Sequence, residues 1–251
     1  MDATGSRRKC GTGVGLTVTN HVVLGSRRSL EYRPDDLRLS MLSTPSIMEA
    51  VRQAFGFQQS QIGTPIPTFG DVQASLPPGV VFDVGSLVAQ DGQPISIRFL
   101  HFEFARIVVD IAAPSQYLEE VFERLDVAVK TFSAPDGRPI IGSPYATADQ
   151  SDVSAHLGFA PEVLVHPTLN ALIRSKNWST MEGDEFLPSV SLRLQATGSD
   201  FQPPRFASDM WMLQLRGGTN AHDRQYFSSA PLRSDDHIAL LERLDEAMSE
   251  E

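Results

Sequence analysis

Pro45-Ser46-Ile47-Met48-Glu49-Ala50-Val51-Arg52 is echoed 122 residues later by Pro167-Thr168-Leu169-Asn170-Ala171-Leu172-Ile173-Arg174. Further along, Glu123-Arg124-Leu125-Asp126 recurs as Glu242-Arg243-Leu244-Asp245, with Ala128 and Ala247 in matching places, at an offset of 119. Two similar offsets with the same order of elements predict an internal duplication. The expected architecture is two similar halves, each β-α-β-β-β-α, in an α+β fold of mainly antiparallel sheet with helices packed on one face. The halves would join edge to edge into one long sheet or pack face to face. A second register, Ile95-Ser96-Ile97-Arg98-Phe99 against Val190-Ser191-Leu192-Arg193-Leu194, would misplace every helix and is set aside as a chance match of alternating strands.

Local signals place the elements. Leu37, Leu39 and Met41 alternate and predict a strand over 35–42. Thr44 as N-cap and Pro45 at the first helical position start a helix that Gly56 closes. Residues 58–77 read as a loop. Strands follow over 80–88, 95–104 and 106–112, with a parity change near Leu100 or His101 that requires a bulge or turn. Leu118, Phe122, Leu125 and Val129 form a helical stripe, with Glu120 and Arg124 at ion-pair spacing. In the second half, strands are expected over 162–165, 190–196, 205–215 and 224–229, a helix over 167–176, and a last helix from Ser234 with the stripe Ile238, Leu241, Leu244 and Met248. The expected domains are a flexible basic arm at 1–34, a first half at 35–132, a Ser/Pro/Gly/Asp-rich junction at 133–160 and a second half at 161–251.

Composition bounds the function. The 251 residues are 41% hydrophobic, enough for a core. The net charge is −10. Residues 1–34 hold six basic side chains against Asp2 and Glu31, so that arm is +4 and the rest −14. An acidic body argues against nucleic acid, which needs clustered Lys and Arg. No apolar run reaches the roughly 20 residues of a membrane span. A single cysteine, Cys10, fits a soluble protein of a reducing cytoplasm and makes the Asn177-Trp178-Ser179 sequon irrelevant. Three lysines beside many arginines suggest a GC-rich bacterial source.

The chemistry is sparse. Gly11–Gly15 before His21 resembles the histidine segment of trypsin-like proteases, but no Gly-Asn-Ser-Gly-Gly loop follows. The six histidines form no HxxxH or HExxH pair, and nothing calls for a cofactor or a metal. His101 and Glu103 share a strand face and could reach one ion, or form a polar pair on a solvated face. Asp110, between Val109 and Ile111, is either on a partly exposed edge or a buried acid. His166 and His237 read as surface or capping residues near helix starts. The densest polar cluster is the loop 216–224, where Arg216, His222, Asp223 and Arg224 could bind an anionic group, with the arginines as a clamp. The expected function is a soluble cytoplasmic binding or accessory protein that engages a protein partner or a small ligand. The alternative is an enzyme acting in the cleft between halves with Asp110, His101 or His222.

Overall fold

The structure, a computed structural model, describes residues 21–62, 79–174, 189–193 and 210–249. They form a mixed α+β body around one antiparallel sheet. In chain order the elements are β1 (His21–Glu31), α1 (Leu39–Leu42), α2 (Pro45–Phe55), β2 (Gln59–Ile62), β3 (Gly79–Val88), β4 (Pro94–Glu103), β5 (Arg106–Ile111), α3 (Leu118–Lys130), β6 (Ala146–His156), α4 (Pro167–Arg174), β7 (Val190–Arg193), β8 (Met210–Leu215), β9 (Gln225–Ala230) and α5 (Ser234–Ser249). Among the described residues the nine strands are ordered β2-β3-β4-β5-β1-β6-β9-β8-β7. No described helix is long and apolar enough to cross a membrane.

The middle of this sheet overturns two expectations. Residues 21–31, placed in the flexible arm, form the central strand β1, which pairs with β5 on one side and β6 on the other. Residues 146–156, placed in the junction, form β6. β6 holds a single large apolar residue, Val153, and β1 interrupts its apolar residues with Gly25-Ser26-Arg27-Arg28-Ser29, so composition reads them as junction and arm. They are strands because each finds backbone partners on both sides and projects small or charge-paired side chains. Arg28 is the clearest case. It is 8% exposed, opposes Asp149 in the β1–β6 register, and bonds both Asp149 and Glu119 of α3. The remaining N-terminal residues of the arm lie outside the described residues.

Three further strands are corrected. Over 35–42 only Leu37 makes a bridge, to Ile141, and Leu39–Leu42 turns into α1. With no neighbouring strand to extend along, the segment coils, and Arg38 N–H donates to the Ile140 carbonyl. Residues 161–164 form a 3₁₀ turn begun by Pro161 instead of a strand. Within the expected loop 58–77, Gln59–Ile62 adds the exposed edge strand β2. The ends of the strands expected over 190–196 and 205–215, and of the helix over 167–176, fall outside the described residues.

The larger core lies under α2 and α3. Ile47, Val51 and Phe55 of α2, with Leu118, Val121, Leu125 and Val129 of α3, cover Val80, Phe82, Ile97, Leu100, Phe102, Ile107, Val109 and Ile111. Phe55, Phe57, Phe82 and Phe102 form a chain with ring centroids 5.3–5.8 Å apart. Each such side chain, fully buried, contributes roughly 1.5–3 kcal/mol. Gly56 ends α2 at φ 61°, a left-handed conformation that glycine adopts without penalty. A smaller core joins β6, β8 and β9 to α5, where Ile238, Leu241, Leu244 and Met248 pack on Val153, Ala155, Leu213 and Tyr226.

α3 and α5 meet end to end over the β1–β6 pair, on one face of the sheet. The Ser115 N–H donates to Ser234 Oγ and the Ser234 N–H donates to Ser115 Oγ, each at 3.0 Å, with the two hydroxyls also 3.0 Å apart. Each serine thus caps the other's helix start. Arg233 then reaches Glu119, linking the same two helices. Truncating either serine strands a buried N–H and a hydroxyl, so Ser115→Ala and Ser234→Ala should each cost about 1–3 kcal/mol. The double variant should cost less than the two together, read from urea unfolding as a double-mutant cycle.

Candidate functional site

The face of the sheet opposite α2, α3 and α5 carries most of the unusual chemistry. Two irregularities in the ladder lie close together there. The β4–β5 register shifts between Ile97 and Phe99, and the β1–β6 register between Val23 and Gly25. The first is the bulge expected near Leu100, two residues earlier. Arg98, the extra residue of β4, reaches across β5 and joins the two. Its Nη2 donates to the Leu24 carbonyl at 2.5 Å and its Nη1 to Asp110 Oδ1 at 3.1 Å. Glycine is required at position 25, because a Cβ there would stand 2.5 Å from Arg98 Nη1 and 2.9 Å from the Ile111 carbonyl. Opposite Arg98, Val84 holds φ 54°, a strained value for a β-branched residue. Bulges and strained backbone of this kind collect at functional sites.

Asp110 is the centre of this arrangement. It is 4% exposed and lies on an interior strand, which corrects the expectation of a partly exposed edge. Arg27 donates to its Oδ2 through Nε at 3.0 Å and Nη2 at 2.7 Å, while Arg98 holds Oδ1. Arg27 also lies 5.3 Å from the centroid of Phe99, a cation–π distance. Both guanidinium groups stay half exposed, so one buried carboxylate aims two cations outward. Between them is a water-sized niche bordered by Gly25, Gln150 and Asp152. Gln150 donates to Ser229 Oγ at 3.1 Å.

Beside this group stands a second. His101 Nδ1 lies 2.9 Å from Glu103 Oε1, and Arg106 donates to Glu103 Oε2. Burial pushes the Glu103 carboxyl up, but the bonds from His101 and Arg106 outweigh it and hold the group below its ordinary value. An ionised Glu103 only accepts, so Nδ1 carries the proton. His101 Nε2 is buried with no partner, and faces the space where a side chain at Gly79 would stand. The pair is buried, not solvated as one reading had it. No three His, Cys, Asp or Glu side chains among the described residues are placed to hold a metal ion.

The 216–224 loop does not converge on one point. Arg216 Nη1 reaches Ser154 Oγ on the sheet, 3.4 Å away, while Arg224 bonds the Gly158 carbonyl. His222 and Asp223 are exposed. The Asp223 backbone carbonyl lies 2.8 Å from His156 Nδ1. His166 meets the expectation of a capping residue, with its Nδ1 3.3 Å from the Thr168 N–H. His237 does not, since it is fully buried. Ser151 Oγ lies 2.9 Å from Nδ1 and Ser228 Oγ 2.8 Å from Nε2. Ser228 donates its only proton to the Met212 carbonyl and accepts from Trp211 Nε1. Nε2 must therefore carry the His237 proton and Nδ1 must accept from Ser151. Sequence reasoning missed this group because its members lie on two strands, β6 and β9, and on α5.

The fold and this polar sheet face place the chain among α+β proteins built on a single antiparallel sheet. No protein-family model matches the chain, and no curated protein matches it.

Two outcomes follow from these networks. Asp110→Asn removes the charge that anchors Arg27 and Arg98. Because both arginines can rehydrate, the loss of stability in urea should be about 1–3 kcal/mol, below the 3–5 kcal/mol of a fully buried pair. Burial lowers the pKa of His237 to about 4, with the nearby Ser151 backbone opposing the shift. The folded state then binds the proton less readily than the unfolded chain, whose histidine titrates near 6.5. Stability from this group is complete above about pH 6.5 and falls as pH drops toward 4, by on the order of 3 kcal/mol in all. His237→Gln should flatten that part of the stability–pH curve, measured as the difference between variant and parent from pH 7 to 4.

Proposed function

We propose that this protein is a binding or accessory module that engages a protein partner or ligand on the sheet face opposite α2, α3 and α5, through a body of two duplicated halves. The observation that carries the reading is the pair of half-exposed arginines, Arg27 and Arg98, fixed by one buried aspartate at two adjoining bulges. Side chains held this way lose little freedom when a partner docks, which favours specific recognition. Arg216, with its guanidinium on Ser154, extends the same face toward the 216–224 loop, where His222, Asp223 and Arg224 complete the proposed contact surface. A cytoplasmic location belongs to the same proposal and rests on cysteine usage.

Duplication is supported by more than the repeated helices. Ser115 and Ser234, which cap each other, are 119 residues apart, the offset of the Glu-Arg-Leu-Asp repeat. β1 and β6 pair with Ser26 opposite Ser151, and the strand order reads outward alike on both sides of that pair. Ser151 bonds His237, whose counterpart at the same offset is Leu118, and Ser26 Oγ is buried without a partner.

A second reading, an enzyme, is favoured by His101, a buried ring oriented by Glu103 with a free Nε2. Affinity capture from the native cell, followed by mass spectrometry of proteins and small molecules, separates the two. The binding reading expects a partner that is retained by the parent and by Lys130→Ala but lost with Arg27→Ala/Arg98→Ala. A set of captured species indifferent to the arginines would sink it. A bound small molecule lost only with His101→Gln would move the assignment to the enzyme.

A further inference from the structure

On the other side of the sheet, between the end of β3 and the outer flank of α3, runs a groove of about 380 Å³. Its floor is Leu87 and its lips are Val88 and Val127, which are 62% and 68% exposed. The wall is the stripe Glu120, Glu123, Arg124 and Val127, one face of the helix at i, i+3, i+4, i+7 spacing. Glu120 does not pair with Arg124 as its spacing suggested, because it accepts from the Gln90 N–H at 2.8 Å. Glu123 and Arg124 make no ion pair among the described residues, whereas their neighbours Glu119 and Asp126 do. The rim therefore presents one free anion and one free cation side by side, flanked by exposed valines.

We infer that this groove is a homodimer interface, in which a second copy of the chain packs α3 antiparallel against α3 about a two-fold axis. A two-fold contact must be self-complementary, and adjacent opposite charges satisfy that requirement directly. Glu123 of each copy meets Arg124 of the other, and Val88 and Val127 of the two copies cover one another. The corresponding stripe of α5, at the offset of 119, reads Ala239, Glu242, Arg243 and Glu246. It keeps the charge pair but replaces the exposed valine with a glutamate, as a solvated helix face requires. The apolar contact is thus confined to the first half, so the interface closes as a dimer and does not propagate. This inference is independent of the binding face on the opposite side of the sheet.

The test is a charge swap on the full chain, read by sedimentation over a range of concentrations, with circular dichroism as the check of folding. The parent should dimerise reversibly. Glu123→Arg and Arg124→Glu each place two like-charged pairs in the interface and should raise the dimer Kd roughly tenfold or more. The double variant E123R/R124E restores opposite charges with reversed polarity and should recover most of the parental affinity. Val127→Glu should give a folded monomer. A parent that stays monomeric at all concentrations overturns the inference, including the case in which a different protein fills the groove. So does a dimer indifferent to the single reversals, or one that the double swap fails to rescue.

Discussion

Backbone pairing between β1 and β6 is the constraint on which the rest of the molecule depends. Their ten registered positions join the strands on either side into one sheet and bring α3 and α5 to the same place on its surface. Neither strand supplies much of the driving force through apolar burial, since β1 is rich in Ser and Arg and β6 in Ser and Asp. The seam is held by ladder hydrogen bonds and by side-chain pairs that join across it: Arg28 with Asp149 and Glu119, and the serine exchange above it. Hydrophobic stabilisation sits to either side, in two separate cores, one under α2 and α3 and the other under α5. The architecture is therefore apolar to either side of the β1–β6 seam and largely polar along it.

This division explains what could be read from the sequence. Elements with large residues at a regular period were legible: α2, α3 and α5, and the strands β3, β4, β5, β8 and β9. Their side chains face one of the two cores, so periodicity reports burial directly. β1 and β6 were illegible for the same reason inverted. Most of their buried positions are filled by polar residues such as Ser26, Arg28, Ser151 and Ser154, and only a three-dimensional partner makes such residues burial-compatible. The strand expected at Leu37, Leu39 and Met41 failed because three alternating residues fix a face but not a neighbour.

The candidate site was legible in part. Asp110, His101 and Glu103 stood out as polar residues among strong strand formers, and all three are buried on the face opposite the helices. Their partners were not visible, because Arg27 is 83 residues from Asp110 and the bulge at Arg98 re-aims a side chain that simple alternation assigns elsewhere. The polar 216–224 loop attracted notice through local density alone. Its arginines satisfy a serine hydroxyl and a backbone carbonyl instead of converging.

The composition of β1 has a further meaning for the birth of the chain. β1 is the first described strand to be made, yet its partner β5 lies 75–85 positions later in the register and β6 later still. Contacts that distant close late in folding. Until β6 arrives, one side of β1 is an unpaired strand edge in the middle of the future sheet. Arg27, Arg28 and Glu31 keep that edge charged, and charged edges resist pairing with the wrong chain. The same residues that hide β1 from a hydrophobicity pattern thus protect the nascent protein from aggregation while it waits for β6.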